Sequence, residues 1–183
     1  MNPRRDKLRS FIVRSSIECL SILLASAGLV VAGFVYADTG PGTQQAVIES
    51  NAQQGELALL SIARLELEVP IFSGTSKKTL NRGAGLVEGT SPPGVAGNIV
   101  VSAHRDSFFR PLEGIRVGDV IELQSPDGMQ RFEVGKIFIT DPLDISVLEP
   151  TAQPTLTLIT CYPFRYVGFA PERFIVRATQ IGT

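Results

Sequence analysis

The run Thr155-Leu156-Thr157-Leu158-Ile159-Thr160-Cys161, followed at once by Tyr162-Pro163, alternates Thr with Leu and then closes on β-branched residues before its Cys. That pattern favours an extended, half-buried strand. Pro163 has no N–H and holds Tyr162 away from helical geometry, so ladder pairing should stop there. Cys161 is thereby delivered to the open end of a strand, where a thiol can meet a substrate.

On the C-terminal side, Arg173-Phe174-Ile175-Val176-Arg177-Ala178 reads as a last strand. On the N-terminal side, Asp141 to Glu149 reads as a loop or single helical turn carrying Leu143, Ile145, Val147 and Leu148. Earlier still, Asp119–Gln124 and Gln130–Thr140 form two strands joined by the Pro126-Asp127-Gly128 turn. Asn98-Ile99-Val100-Val101-Ser102-Ala103 is a buried-strand candidate that ends at His104-Arg105-Asp106. Upstream, Leu57–Ile62 and Leu65–Ile71 are short strands, the second with period-two alternation. Ser76 caps a helical turn that runs to Leu80. Gly83, Gly85 and Gly89, then Ser91-Pro92-Pro93-Gly94, read as turn chemistry. Seven or eight short strands with few helices imply a mainly β fold, a closed barrel. Seventeen Gly and twelve Pro agree with a turn-rich body, and no interval repeats as a solenoid would require.

The formal charge of −1 gives no electrostatic reason to expect nucleic acid. It hides an asymmetry. Arg4, Arg5, Lys7, Arg9 and Arg14 crowd residues 1–16 against Asp6 alone, whereas residues 37–183 hold twelve basic and sixteen acidic residues. Between them, Ile17 to Tyr36 is twenty residues long with Glu18 as its one charge. Twenty helical residues span about 30 Å, the thickness of a hydrocarbon core. The run exceeds the usual length of a signal-peptide apolar region, so it reads as an anchor rather than a cleaved leader. The basic flank predicts a single pass with the N-terminus inside and the bulk of the chain outside. The expected organisation is a cytoplasmic flank over 1–16, an anchor over 17–36, a polar tether over 37–55 and a catalytic domain over 56–183.

Of the two cysteines, Cys19 lies within the apolar run and Cys161 far from it, so they are not expected to pair. One unpaired Cys in an exported domain is a flag for a reactive thiol. A thiol acts as thiolate and needs a neighbouring base. The chain has a single histidine, His104, so any Cys–His chemistry must use it. Like Cys161, it sits just past a strand rich in β-branched residues. Attack on a carbonyl further needs a donor for the oxyanion. Arg105, Arg165, Arg173 and Arg177 are the candidates. If the last strand pairs antiparallel with Thr155–Cys161, Arg173 lands level with Cys161, while Arg177 lies about 13 Å further along. Arg173 is therefore preferred, Arg165 is its rival from the connecting loop, and Arg105 is assigned a structural part. One His and one outer Cys cannot build a zinc site, and the acidic residues lack calcium-loop spacing, so no metal or other cofactor is expected.

The block Thr157-Leu158-Ile159-Thr160-Cys161 has the form T-L-x-T-C and resembles the signature of sortases, the cysteine transpeptidases that attach proteins to bacterial surfaces. The resemblance extends over Glu56–Ala178. A His after an internal strand, a Cys closing the T-L-x-T-C strand and an Arg opening the last strand occur in sortase order as His104, Cys161 and Arg173. Ala103 stands before His104 where many relatives have Gly or Thr. The helix-poor domain and Cys161-Tyr162-Pro163-Phe164 look most similar to class D sortases. The resemblance implies a sortase barrel on the outer side of the bacterial cytoplasmic membrane. Its substrates would be surface proteins with a C-terminal L-P-x-T-G-like sorting signal, cut between Thr and Gly. The acyl acceptor would be an amine of a peptidoglycan precursor or of a pilin lysine. Thr160, Leu143, Ile145 and Val147 are the residues then expected at the substrate. The alternatives are another cell-wall thiol peptidase such as an L,D-transpeptidase, whose Gly-rich surroundings of the Cys are missing here, or a non-catalytic surface β-domain.

Overall fold

A computed structural model describes residues 55–182. The expected flank, the anchor over 17–36, Cys19 and all of the tether except Gly55 lie outside the described residues. Eight strands follow one another: β1 (Glu56–Ile62), β2 (Leu67–Ser73), β3 (Ala84–Leu86), β4 (Asn98–Ser102), β5 (Val120–Ser125), β6 (Gly128–Thr140), β7 (Thr155–Tyr162) and β8 (Glu172–Gln180). They close into a barrel in the order β1-β2-β3-β4-β7-β8-β6-β5, with β5 returning to β1. Most pairs are antiparallel; β2–β3 and β4–β7 are parallel. The helical content is small: α1 (Lys77–Leu80), with the Ser76 hydroxyl accepting from Thr79 N as its cap, and 3₁₀ turns at Ala63–Leu65, Arg110–Gly114 and Ile145–Leu148. Among the described residues no helix is long and apolar enough to cross a membrane.

The barrel interior is filled by alternate residues of each strand, among them Leu60, Ile62, Val69, Ile71, Ile99, Val101, Ile121, Leu123, Phe132, Leu156, Leu158 and Val176. Period-two alternation then sends Val100, Ser102, Ile159, Cys161, Arg173 and Ile175 to the outer face. This inside–outside assignment sets which side chains reach a substrate.

One element departs from the sequence reading. Ala84-Gly85-Leu86 was expected to be turn, yet it forms β3, wedged between β2 and β4. Glycine is required because a Cβ at Gly85 would lie 2.3 Å from the Gly74 carbonyl oxygen. Its signal as a turn former was local, whereas its actual use is close backbone approach between neighbouring segments.

Candidate active site at the exit of β4 and β7 and the entry of β8

Three strand ends lie side by side. In the parallel β4–β7 ladder Asn98 pairs with Thr155 and Ser102 with Ile159, a constant offset of 57 residues that the Thr160 hydroxyl repeats in donating to the Ala103 carbonyl. Carried one position further, the same offset sets His104 level with Cys161. On the other side of β7 the antiparallel ladder pairs Cys161 with Arg173 directly. Adjacent strands are about 4.8 Å apart, so imidazole, thiol and guanidinium start from neighbouring backbone positions on one barrel face. All three are half-buried, which leaves them open to solvent.

Local chemistry holds the ends of these strands. Thr160 is 2 % exposed and its hydroxyl donates to Ala103 O at 2.8 Å, while Ala103 N donates to Ile159 O at 3.3 Å. The two bonds fasten the residue before His104 to the residues before Cys161. The His104 carbonyl accepts from Phe109 N at 3.0 Å, closing the turn that follows. Beneath Cys161 and Arg173, inward-facing Tyr162 and Phe174 stack at 6.2 Å, and Phe164 meets Phe174 edge-on at 5.0 Å. This aromatic plug fixes the inward side chains and leaves Cys161 and Arg173 facing out.

The outer face changes character along the strands. Asn98, Val100, Thr155 and Thr157 are buried, whereas Ser102, His104, Ile159 and Cys161 are half-exposed. The cover over the buried half is the β6–β7 connection. Asn98 Nδ2 donates to the Val147 and Glu149 carbonyls at 3.0 and 2.9 Å, Asn98 Oδ1 accepts from the Thr157 hydroxyl at 2.7 Å, and Arg177 donates to Val147 O at 3.3 Å. Higher in this loop, Asp144 accepts from the Ser146 and Thr140 hydroxyls. Those bonds, the Ser146 hydroxyl first, hold its carboxyl below the usual range. The outer face is thus covered at Asn98, Val100, Thr155 and Thr157 and open at Ser102, His104, Ile159 and Cys161.

The expected substrate residues fall on both sides of this cover. Leu143 and Ile145 are 86 % and 74 % exposed on the loop, whereas Val147 is 5 % exposed and belongs to the packing beneath. Val147 is buried beneath the loop. Thr160 is buried too, faces inward, and its hydroxyl donates to Ala103 O, so the structure puts neither side chain at the open part of the outer face. Arg173 donates to the Ala170 and Glu172 carbonyls at 3.4 and 3.0 Å, so the guanidinium lies in the loop that joins β7 to β8. Arg165, the rival from the connecting loop, pairs with Glu113 at 3.2 Å and stands 77 % exposed. Sequence reasoning missed Asn98. Its signal was a polar residue opening an otherwise apolar strand. The described residues contain no cluster of His, Cys, Asp and Glu able to hold a metal ion. An open depression of about 440 Å³ lies at the far end of β7 and β8, lined by Gln153, Pro154, Thr179, Gln180 and Gly182, none of which titrates.

Residues 60–181 match the family model of the sortase domain. Sortase D of Bacillus subtilis is 30 % identical over 195 residues, covering 90 % of this chain and 98 % of its own length. Among solved structures, a Clostridium perfringens sortase D5 transpeptidase superposes with a TM-score of 0.64 at 26 % identity, over 75 % of this chain and 89 % of that one. Sortase C1 of Streptococcus agalactiae gives 0.66 at 28 % identity, over 71 % and 69 %.

Proposed function

Because the chain belongs to the sortase family of cysteine transpeptidases, we propose that Cys161, His104 and Arg173 cut an L-P-x-T-G-like sorting signal and pass its acyl part to an amine. The Cys161 thiolate attacks the Thr carbonyl carbon. A C–S bond forms and the carbonyl π pair moves to oxygen, where Arg173 donates to it. As the carbonyl reforms, the C–N bond breaks and the glycine amine leaves with a proton from protonated His104. The acyl group now rests on sulfur as a thioester. An acceptor amine attacks it, neutral His104 takes the surplus proton, and sulfur departs as thiolate. The cycle ends with its starting protonation states restored.

The observation that carries this reading is the register: Arg173 is paired with Cys161, and His104 follows β4, two residues beyond the last β4–β7 pair, Ser102 with Ile159. The open part of the outer face at Ser102, Ile159 and Cys161 supports binding of an extended peptide, with exposed Leu143 and Ile145 as apolar candidates to meet it. Similarity to sortase D supports a class D assignment. The acceptor is an amine of a peptidoglycan precursor or of a pilin lysine. Residues 17–36 serve as a single-pass anchor with the N-terminus in the cytoplasm and the barrel outside, supported by the apolar run and its basic flank. The test compares wild-type full chain with Cys161→Ala, His104→Ala and Arg173→Ala on a quenched L-P-x-T-G-type peptide panel, with and without added amine. Each variant loses cleavage and the wild type yields an amine-dependent product. Undiminished turnover by Cys161→Ala overturns the proposal.

A further inference from the structure

Arg105 follows His104 in sequence but spends its side chain elsewhere. Its guanidinium donates to Pro163 O at 2.8 Å, Tyr166 O at 2.8 Å and Gly168 O at 3.2 Å, and lies 5.7 Å from the centre of the Tyr166 ring. All three carbonyls belong to the connection between β7 and β8, the segment that begins two residues after Cys161 and ends just before Arg173. Arg110 adds a weaker bond to Phe164 O at 3.4 Å. Phe164 is buried against Tyr162 and Phe174 and Arg173 donates to Ala170 O, but between these two anchors Val167 and Phe169 are fully exposed and Arg165 pairs with surface Glu113.

We propose that Arg105 is a positioning residue that clamps the β7–β8 connection to the His104 turn, so that the connection forms a fixed surface beside Cys161 for the bound peptide. The inference rests on the site assigned above. Three carbonyls spread over six residues cannot all be met by a point charge. The planar fork of a guanidinium addresses acceptors on two of its edges at once and stacks on a ring, whereas a lysine ammonium on its flexible stem does not reproduce that geometry. Because Arg105 is itself only half-buried and the loop is at the surface, the clamp orders that connection without carrying the barrel's core.

The test uses the full chain with Arg105→Lys and Arg105→Ala, and two readouts. The first is the rate of tryptic cleavage after Arg165, followed by mass spectrometry in a Cys161→Ala background. It needs no turnover, so it is independent of the catalytic assignment. Both substitutions are expected to speed that cleavage about tenfold or more, as the loop opens more often. The second is peptide kinetics in the otherwise wild-type chain. Both substitutions are expected to raise KM by about an order of magnitude with kcat little changed, the pattern of lost ground-state binding. Rescue of either readout by lysine, or a lysine-rescued displacement of the pH–rate profile in place of the KM effect, would show that Arg105 acts as a mere positive charge beside His104 and overturn the clamp. Unchanged cleavage after Arg165 in both variants would overturn it as well.

Discussion

Arg173 stands directly opposite Cys161 in the β7–β8 ladder, while Arg177, on the same face four residues on, stands opposite Thr157 and donates to the Val147 carbonyl. Two arginines of one strand therefore serve different ends. Arg173→Ala is expected to lower kcat about 10²–10³-fold, the usual loss for one oxyanion donor. Arg177→Met is expected to loosen the cover on the outer face and to change KM rather than kcat. Steady-state kinetics on a sorting-signal peptide separates the two, and equal kcat losses would contradict the division.

Thr160 offers a second measurement. Replacing it by Val preserves shape but leaves the buried Ala103 carbonyl without its donor, a loss of about 1–3 kcal/mol. The urea midpoint of Thr160→Val should fall with an unchanged m-value, while Thr160→Ser, which keeps the hydroxyl, stays near wild type.

Gly85 and Gly135 make an internally controlled pair. A Cβ at Gly85 meets the Gly74 carbonyl at 2.3 Å, whereas at Gly135 it meets nothing within 4 Å. Gly85→Ala should cost about 1–3 kcal/mol or more through forced backbone movement, and Gly135→Ala should be neutral or mildly stabilising. Denaturant unfolding of the two variants decides it.

Asp119 ties the start of β5 to the turn after β1. Arg64 Nε donates to one carboxylate oxygen at 2.6 Å, a second guanidinium nitrogen of Arg64 reaches the other, and Arg116 N donates at 2.7 Å. The Arg64 hydrogen bond is the main reason the carboxyl titrates below its usual range. A depressed folded-state value means that the unfolded chain binds the extra proton. The stabilisation is therefore complete above the unfolded carboxylate value of about 3.9 and fades as pH falls through the lower folded one. The gap in urea midpoint between wild type and Asp119→Asn should be constant from pH 7 to 5 and shrink below pH 4. A gap that widened on acidification would contradict the assignment.

The proposed anchor predicts a fractionation result. The full chain should remain with membranes after an alkaline wash, and a chain beginning at residue 37 should not. Release of both would place the attachment elsewhere.

Most strands were legible because their signals are local. The Thr155–Cys161 alternation, the Pro126-Asp127-Gly128 turn and the Ser76 cap each depend on residues a few positions apart, and each appears as expected, with β7 running one residue further to Tyr162. The level of Arg173 with Cys161 was also legible, since antiparallel pairing sets the end of β7 beside the start of β8, and both strands run one residue past the expected ends, Tyr162 against Glu172, which keeps the register. β3 was not, because its glycine is demanded by a segment eleven positions away in the chain. Val147 and Leu143 are equally apolar in the sequence, yet one packs beneath the loop and the other points away from it.

Residue order alone determined a β-rich barrel, one thiol downstream of the apolar run, the chain's single imidazole and an arginine near the start of the final strand. These follow from side-chain period and inventory, which need no partner to be read. Tertiary structure decided which carbonyl each hydroxyl, side-chain amide and guanidinium group meets: Thr160 holding Ala103, Asn98 and Arg177 holding Val147, Arg105 holding Pro163, Tyr166 and Gly168. The acceptors in these pairs are backbone carbonyls, which every residue carries. Sequence cannot distinguish one carbonyl from another, so only the closing of the barrel selects which of them each donor meets.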